Sequence, residues 1–237
     1  MKTANVNTVA TVKSIVKASP IAVKIRIQGN SIHFHTDYGR FYATKGNTKV
    51  DCPIVSAGTG TACVNAKICP FHTMNYKESG YPQCYACNSE RIYPNVKKSR
   101  IANERILRKM HKDGVAFYFG QIVGAKLAEQ CEKLGVKYVR FNESSDLADW
   151  NIEFFQGVSM QLTALNKLGY TYSKSSESLV EQLRSTGATV QISEDDFVVV
   201  DSEEEAKEKG LVMCPGESCG DKCVRCPLNL KTAVLRH

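Results

Sequence analysis

The sequence predicts an α/β fold: a largely parallel sheet with flanking helices, open or closed into a partial barrel, with a short β region before it and cysteine-rich metal-binding loops around it. Three observations predict it. From residue 115 to 200, apolar runs of strand length alternate with amphipathic stretches of helix length, the pattern of right-handed crossovers between parallel strands. Residues 21–44 alternate apolar and polar side chains with period two, as a half-buried strand does. Nine of the ten cysteines fall in two loop-like clusters, one near each end. With 237 residues, 43% of them hydrophobic, the chain can bury a sizeable core. We read one domain over 1–237: an N-terminal β region (1–44), a cysteine-rich loop (45–90), an α/β core (91–200), and an acidic segment with a cysteine-rich tail (201–237).

In chain order, Val23, Ile25 and Ile27 alternate with Lys24 and Arg26, Gly29-Asn30 reads as a tight turn, and Ile32, Phe34, Tyr38 and Phe41 continue the β pattern. Residues 45–90 are rich in Gly, Pro, Cys and Thr with little periodicity. A structureless loop of that length is unusual in a compact domain, and a metal site would organise it. Residues 95–113 form a basic helix with Ile101, Leu107 and Met110 on one side and Gly114 as its stop. A helix over 119–134, a strand from Val136 to Phe141, a helix over 147–167 and a strand from Tyr170 to Ser173 follow. Residues 178–186 form a helix opening on the capping box Ser178 to Glu181 and ending at Gly187. Thr189 to Ile192 and Phe197 to Val200 are strands, and the acidic run 201–210 is a short solvated helix. Cys131 lies on the apolar stripe of its helix, so it reads as a core thiol.

The N-terminus has no apolar h-region or cleavage site, and no stretch is long enough to cross a membrane. The expectation is a cytoplasmic chain with no membrane partner. A reducing compartment turns the reading of clustered cysteines from disulfides to metal ligands. The C-terminal cluster, CPGESCGDKCVRCP, holds Cys214, Cys219, Cys223 and Cys226; the N-terminal one holds Cys52, Cys63, Cys69, Cys84 and Cys87. Cys52, Cys69, Cys214 and Cys226 each precede a proline, which stiffens a ligand loop and ends helices. Two C-x2-C pairs, Cys84/Cys87 and Cys223/Cys226, would suit a zinc site. The irregular spacing of the remaining cysteines fits one or two [4Fe–4S] clusters better, with zinc as the alternative. Cys219-x3-Cys223-x2-Cys226 also has the spacing of the radical S-adenosylmethionine enzymes, although it lies at the C-terminus and Arg225 stands where an aromatic is usual. His33 and His35 share a strand face; among the histidines, His72, close behind Cys69, is the ligand candidate.

Charge is lopsided. Residues 1–112 carry 18 Lys and Arg against 5 Asp and Glu, a balance of +13, and residues 113–237 carry 13 against 19, a balance of −6. The basic half, residues 91–112 above all, suggests a nucleic-acid partner. Ligands of parallel α/β sheets bind at the carboxyl ends of strands. The strand ending at Phe141 runs into Glu143 and Asp146, and the strand ending at Ser173 into Lys174. If the two strands pair, these charges meet as candidates for acid–base work, with helix capping as the competing role for Asp146.

The ordered series VRFNESSDL, a long helix, YTYSKS and CPGESCGDKCVRCP, with CYAC upstream, resembles the phage gene-product-88-like domain family from about residue 50 to the C-terminus. Ser144-Ser145-Asp146-Leu147 stands where that family shows a Ser/Gly-Gly-Asp-Phe-like turn, and Cys219-x3-Cys223 where it often shows C-x2-C. The resemblance implies a phage or prophage origin and a metal-binding α/β domain; it implies no particular reaction. Three functions are expected in order: an iron–sulfur protein acting on nucleic acid or a small molecule, a zinc-stabilised nucleic-acid-binding module, and a factor that binds a host protein.

Overall fold

A computed structural model describes residues 14, 17, 19–47, 50–69, 84–192, 197–214 and 232–235. Seven strands form one open sheet in chain order. β1 (Val23–Gln28), β2 (Ser31–Thr36) and β3 (Gly39–Thr44) make an antiparallel meander. β4 (Ile54–Val55) runs antiparallel to β3 but parallel to β5 (Tyr138–Phe141). β6 (Leu168–Ser173) and β7 (Thr189–Ile192) continue the parallel half. The two-residue β4 is therefore where an antiparallel sheet turns into a parallel one. The sheet does not close, so of the two expected forms the open one is found.

The helices are α1 (Tyr85–Ile92), α2 (Pro94–Lys112), α3 (Ala116–Leu134), α4 (Ile152–Ala164) and α5 (Glu177–Arg184). A second, three-stranded sheet joins β8 (Phe197–Val200), β10 (Thr232–Leu235) and β9 (Val212–Met213) in that order, all parallel, with α6 (Glu203–Glu208) between β8 and β9. The Phe197–Val200 strand thus belongs to a separate sheet instead of extending the main one. Ser202 caps α6 by accepting from the Glu205 amide at 3.1 Å, which explains how so acidic a segment starts a helix.

The core is aromatic. Phe34, Phe41, Phe119, Phe154, Phe155 and Phe141 form a continuous chain of ring contacts with centroids 5.2–6.1 Å apart, within the range where edge and tilted packing is favourable. α3 and α4 approach so closely that a Cβ on Gly120 would run into the Phe154 carbonyl, and one on Gly157 into the Phe117 carbonyl. Gly169 leaves the space filled by the Phe141 ring. Cys131 is fully buried in this core, its thiol 3.3 Å from the Tyr138 carbonyl, as its place on the apolar stripe predicts.

Several boundaries differ from the sequence reading. The helix expected from residue 147 begins at Ile152, because residues 142–151 form a loop in which Asn151 bonds the Ala148 amide and the Asp146 carbonyl. The helix expected to open at Ser178 starts at Glu177, with Ser176 as N-cap and no side-chain cap bond, so the Ser178–Glu181 capping box does not form. β4 lies, and α1 begins, inside the 45–90 segment read as a loop without periodicity.

Candidate metal centre

The carboxyl ends of β4, β5 and β6 lie side by side, and the cysteine loop is built on top of them. After Val55 the chain crosses this end of the sheet. The Ala57 amide donates to Asn142 Oδ1 at 3.0 Å, and the Ser144 hydroxyl to the Gly58 carbonyl at 2.6 Å. Asn142 and Ser145 both hold positive φ, 47° and 68°, a conformation that non-glycine residues adopt where surroundings enforce it. Gly60 then passes α1 so tightly that a Cβ there would lie 2.7 Å from Ala86 Cβ and 2.9 Å from the Cys87 amide nitrogen. This places the turn that carries Cys63 against the helix that carries Cys87.

A buried ion network fixes that approach. Glu90, 2% exposed, accepts from the Gly60 amide at 2.6 Å, the Thr61 amide at 3.3 Å and the Thr61 hydroxyl at 3.2 Å. Its partner is Arg100 of α2, 3.1 Å away and 5% exposed. Arg100 also donates to Ser89 Oγ, the Ala86 carbonyl and Glu143 Oε2. Glu143 accepts from Asn47 Nδ2 at 2.5 Å. A charge pair this deep is stable only when further hydrogen bonds satisfy both ions, and here they do.

Asp146 ties the other side of the loop. Its Oδ1 accepts from the Leu147 amide (2.7 Å) and Ser173 Oγ (2.6 Å), and its Oδ2 from Asn65 Nδ2 (2.8 Å) and the Lys174 amide (2.8 Å). The expected neighbourhood of Asp146 and Lys174 therefore forms, through the lysine's backbone. With four donors on two oxygens, Asp146 positions the loop rather than offering a lone pair to a substrate. Asn65 extends the tie to Ser175 Oγ at 2.9 Å, and its carbonyl accepts from the Cys69 amide at 2.9 Å.

These ties bring Cys63 of the loop, itself near Cys69, toward Cys84 and Cys87 at the start of α1. Cys84 is the N-cap and Cys87 sits in the first turn. Burial pushes the Cys63 thiol up to about 11, and the charges of Asp146, Cys69 and Cys84 add to that. Burial likewise pushes Cys87 up to about 12, with Cys84, Glu90 and Cys63 adding to it. Each thiol thus lies within electrostatic reach of others in the group. Among the described residues, no three or more His, Cys, Asp or Glu side chains already close around one point that could hold a metal ion. No disulfide joins the seven described cysteines.

The other cysteines sit elsewhere. Cys52 precedes β4, at the amino end of the parallel strands. Its thiol lies 3.9 Å from the Tyr170 hydroxyl and within electrostatic reach of Cys131. Cys214 follows β9, its amide bonded to the Ala233 carbonyl at 2.7 Å. Cys219, Cys223, Cys226 and His72 lie outside the described residues.

A groove of about 430 Å³ adjoins the loop, lined by Asn65, Arg108, Leu147, Trp150, Ser175 and Leu179 among others. The Arg108 guanidinium lies over the Trp150 ring, 4.3 Å from its centroid, and pairs with Glu104 at 3.0 Å. A second groove of about 410 Å³, beside Thr61 and Ile101, shares Arg108. Sequence reasoning missed Glu90, Arg100 and Gly60. The Glu90–Arg100 pair at i and i+10 carries no local signature, whereas the Gly58-Thr59-Gly60 run inside a cysteine loop was a signal for close backbone approach. Of the basic residues of α2, Arg100 is internal, while Lys97, Lys98, Arg105, Lys109 and Lys112 are exposed.

The family model described as gene product 88, a phage gene-product family, matches residues 41–235. No curated protein and no solved structure matches the chain. The chain belongs to the gene product 88 family.

Proposed function

We propose that this gene product 88 family member is an iron–sulfur protein of the host-cell cytoplasm. Its first centre would be held by Cys63, Cys69, Cys84 and Cys87. The tail cysteines Cys214, Cys219, Cys223 and Cys226 would supply a second. One observation carries the reading: the Gly60 turn, the Glu90–Arg100 pair and Asp146 hold Cys63 within electrostatic reach of Cys69, Cys84 and Cys87, which come from two chain segments. Burial and neighbouring charge there oppose ionisation of Cys63 and Cys87, and a bound cation is what makes thiolates favourable in such a place. Binding would draw the four sulfurs inward onto the metal, with proton release. Cys52 takes no part in this set, since it faces Tyr170 and Cys131.

The groove beside Arg108 and Trp150 would give the centre room for a nucleic acid or a small-molecule substrate, and Glu143 and Lys174 are the charged residues proposed for its chemistry. In that setting Asp146 is a positioning residue. The test is metal and sulfide analysis with a visible spectrum on protein purified without oxygen. The expected result is iron with matching acid-labile sulfide and a broad brown absorbance, and the iron count separates one cluster from two. Zinc without sulfide would replace this reading by a zinc-stabilised module, and metal-free protein would leave a factor that binds a host protein.

A further inference from the structure

The β1–β2–β3 meander turns one face to the core and the other outward. Ile25, Phe34 and Phe41 lie in register on the inner face, as do Ile32 and Ala43, with Ile27 in the same row but exposed at the sheet edge. On the outer face the register forms two rows: Lys24, His35 and Arg40, then Arg26, His33 and Tyr42. Rows two residues apart along a strand are separated by roughly 7 Å, and neighbouring strands by about 4.8 Å. Lys24, Arg26 and Arg40 are exposed, and the two histidines and Tyr42 are half-buried. None of the three strands contains an acidic residue. Among the described residues, none pairs with Lys24, Arg26 or Arg40 as an ion pair. The His33 and Tyr42 rings meet edge to face at 5.1 Å.

Like charges placed opposite one another across strands are destabilising, and here three cations crowd one small area. Desolvation first, then the charges of Arg40, Arg26, His33 and Lys24, hold His35 below the ordinary imidazole range, which marks how closely these groups surround it. Such a face is complementary to a chain of regularly spaced negative charges. The rings set among the cations distinguish which chain: nucleobases can stack on them, but only where the bases are unpaired.

We propose that the outer face of the β1–β2–β3 meander binds single-stranded nucleic acid, with Lys24, Arg26 and Arg40 on phosphates and His33 and Tyr42 stacking on bases. The assignment is independent of the cysteine centre and of the basic helix α2.

The test is fluorescence anisotropy of a labelled 15-nucleotide dT strand titrated with the full chain at several salt concentrations. A 15-base-pair duplex and poly-glutamate serve as competitors. Lys24→Ala/Arg26→Ala/Arg40→Ala should weaken binding at least about tenfold and flatten the log–log salt slope by about 2, at roughly 0.7 per lost phosphate contact. Tyr42→Leu should weaken binding roughly tenfold with the slope unchanged, and Tyr42→Phe should restore it. All four substituted side chains lie outside the core, and a circular dichroism spectrum matching the parent verifies each fold. Three results would overturn the proposal: undiminished binding by the triple variant, loss only on substituting Lys97, Lys98 and Arg105 of α2, or competition by duplex or poly-glutamate as strong as by the single strand.

Discussion

Glu90 accepts four donors in a place with almost no access to solvent. Removing it strands Arg100 as a buried charge and releases the Gly60 and Thr61 amides. Glu90→Ala should therefore cost about 3–5 kcal/mol in chemical denaturation and abolish metal retention, which an iron assay reads directly. Asp146→Ala removes the acceptor shared by four donors and should cost about 3 kcal/mol or more. Lys174→Ala keeps the amide that Asp146 needs, so its unfolding midpoint should stay near the parent's. Cys131→Ala should leave metal content unchanged while losing about 1–2 kcal/mol of core packing; loss of metal would contradict its core role. Glu143 was legible as a charged tip of β5, but its partners Arg100 and Asn47 are 43 and 96 residues away, and no local pattern announces them.

At the scale of elements, the α3–α4 pair is held by glycine contacts against carbonyl oxygens. Gly157→Ala should force the two helices apart and lower stability by about 3 kcal/mol or more, seen as a fall in the urea midpoint. Within α3, burial raises the Glu129 carboxyl, but Lys126 and Lys133, both 2.6 Å away, outweigh it and hold the group below its ordinary range. A depressed carboxyl contributes stability above its unfolded pKa of about 4.3 and loses it as pH falls through the lower folded value. Glu129→Gln should accordingly flatten the acid side of the stability–pH curve below about pH 4.5 and leave its neutral limb with a constant offset. The elements with clear periodicity, β1 to β3, α2, α3 and α5, were readable to within a few residues at each end, whereas α4 starts five residues later than its apolar stripe suggests. β4 and α1 were not readable, since two residues carry no period and α1 is an eight-residue helix opening at a cysteine.

For the whole molecule, the loop over residues 56–69 and α1 are joined to the rest mainly by polar ties, while the aromatic core is independent of them. On the proposed metal assignment, a chelator under reducing conditions should make the cysteine loop sensitive to protease first and leave the α3–α4 fragment resistant, as mass spectrometry of the cuts would show. The sequence by itself determined the α/β class, the parallel half of the sheet and the core place of Cys131. Each of these rests on periodicity or spacing within some twenty residues, where side-chain pattern and backbone geometry are coupled directly. Only the tertiary structure decided that the sheet stays open and that the Phe197–Val200 strand joins a second sheet. It also decided that Cys52 faces Tyr170 at the far end of the strands, and that Asp146 binds a loop 81 residues away. Those outcomes depend on which distant donors and acceptors satisfy one another once buried, a condition that becomes definite only when the chain is folded.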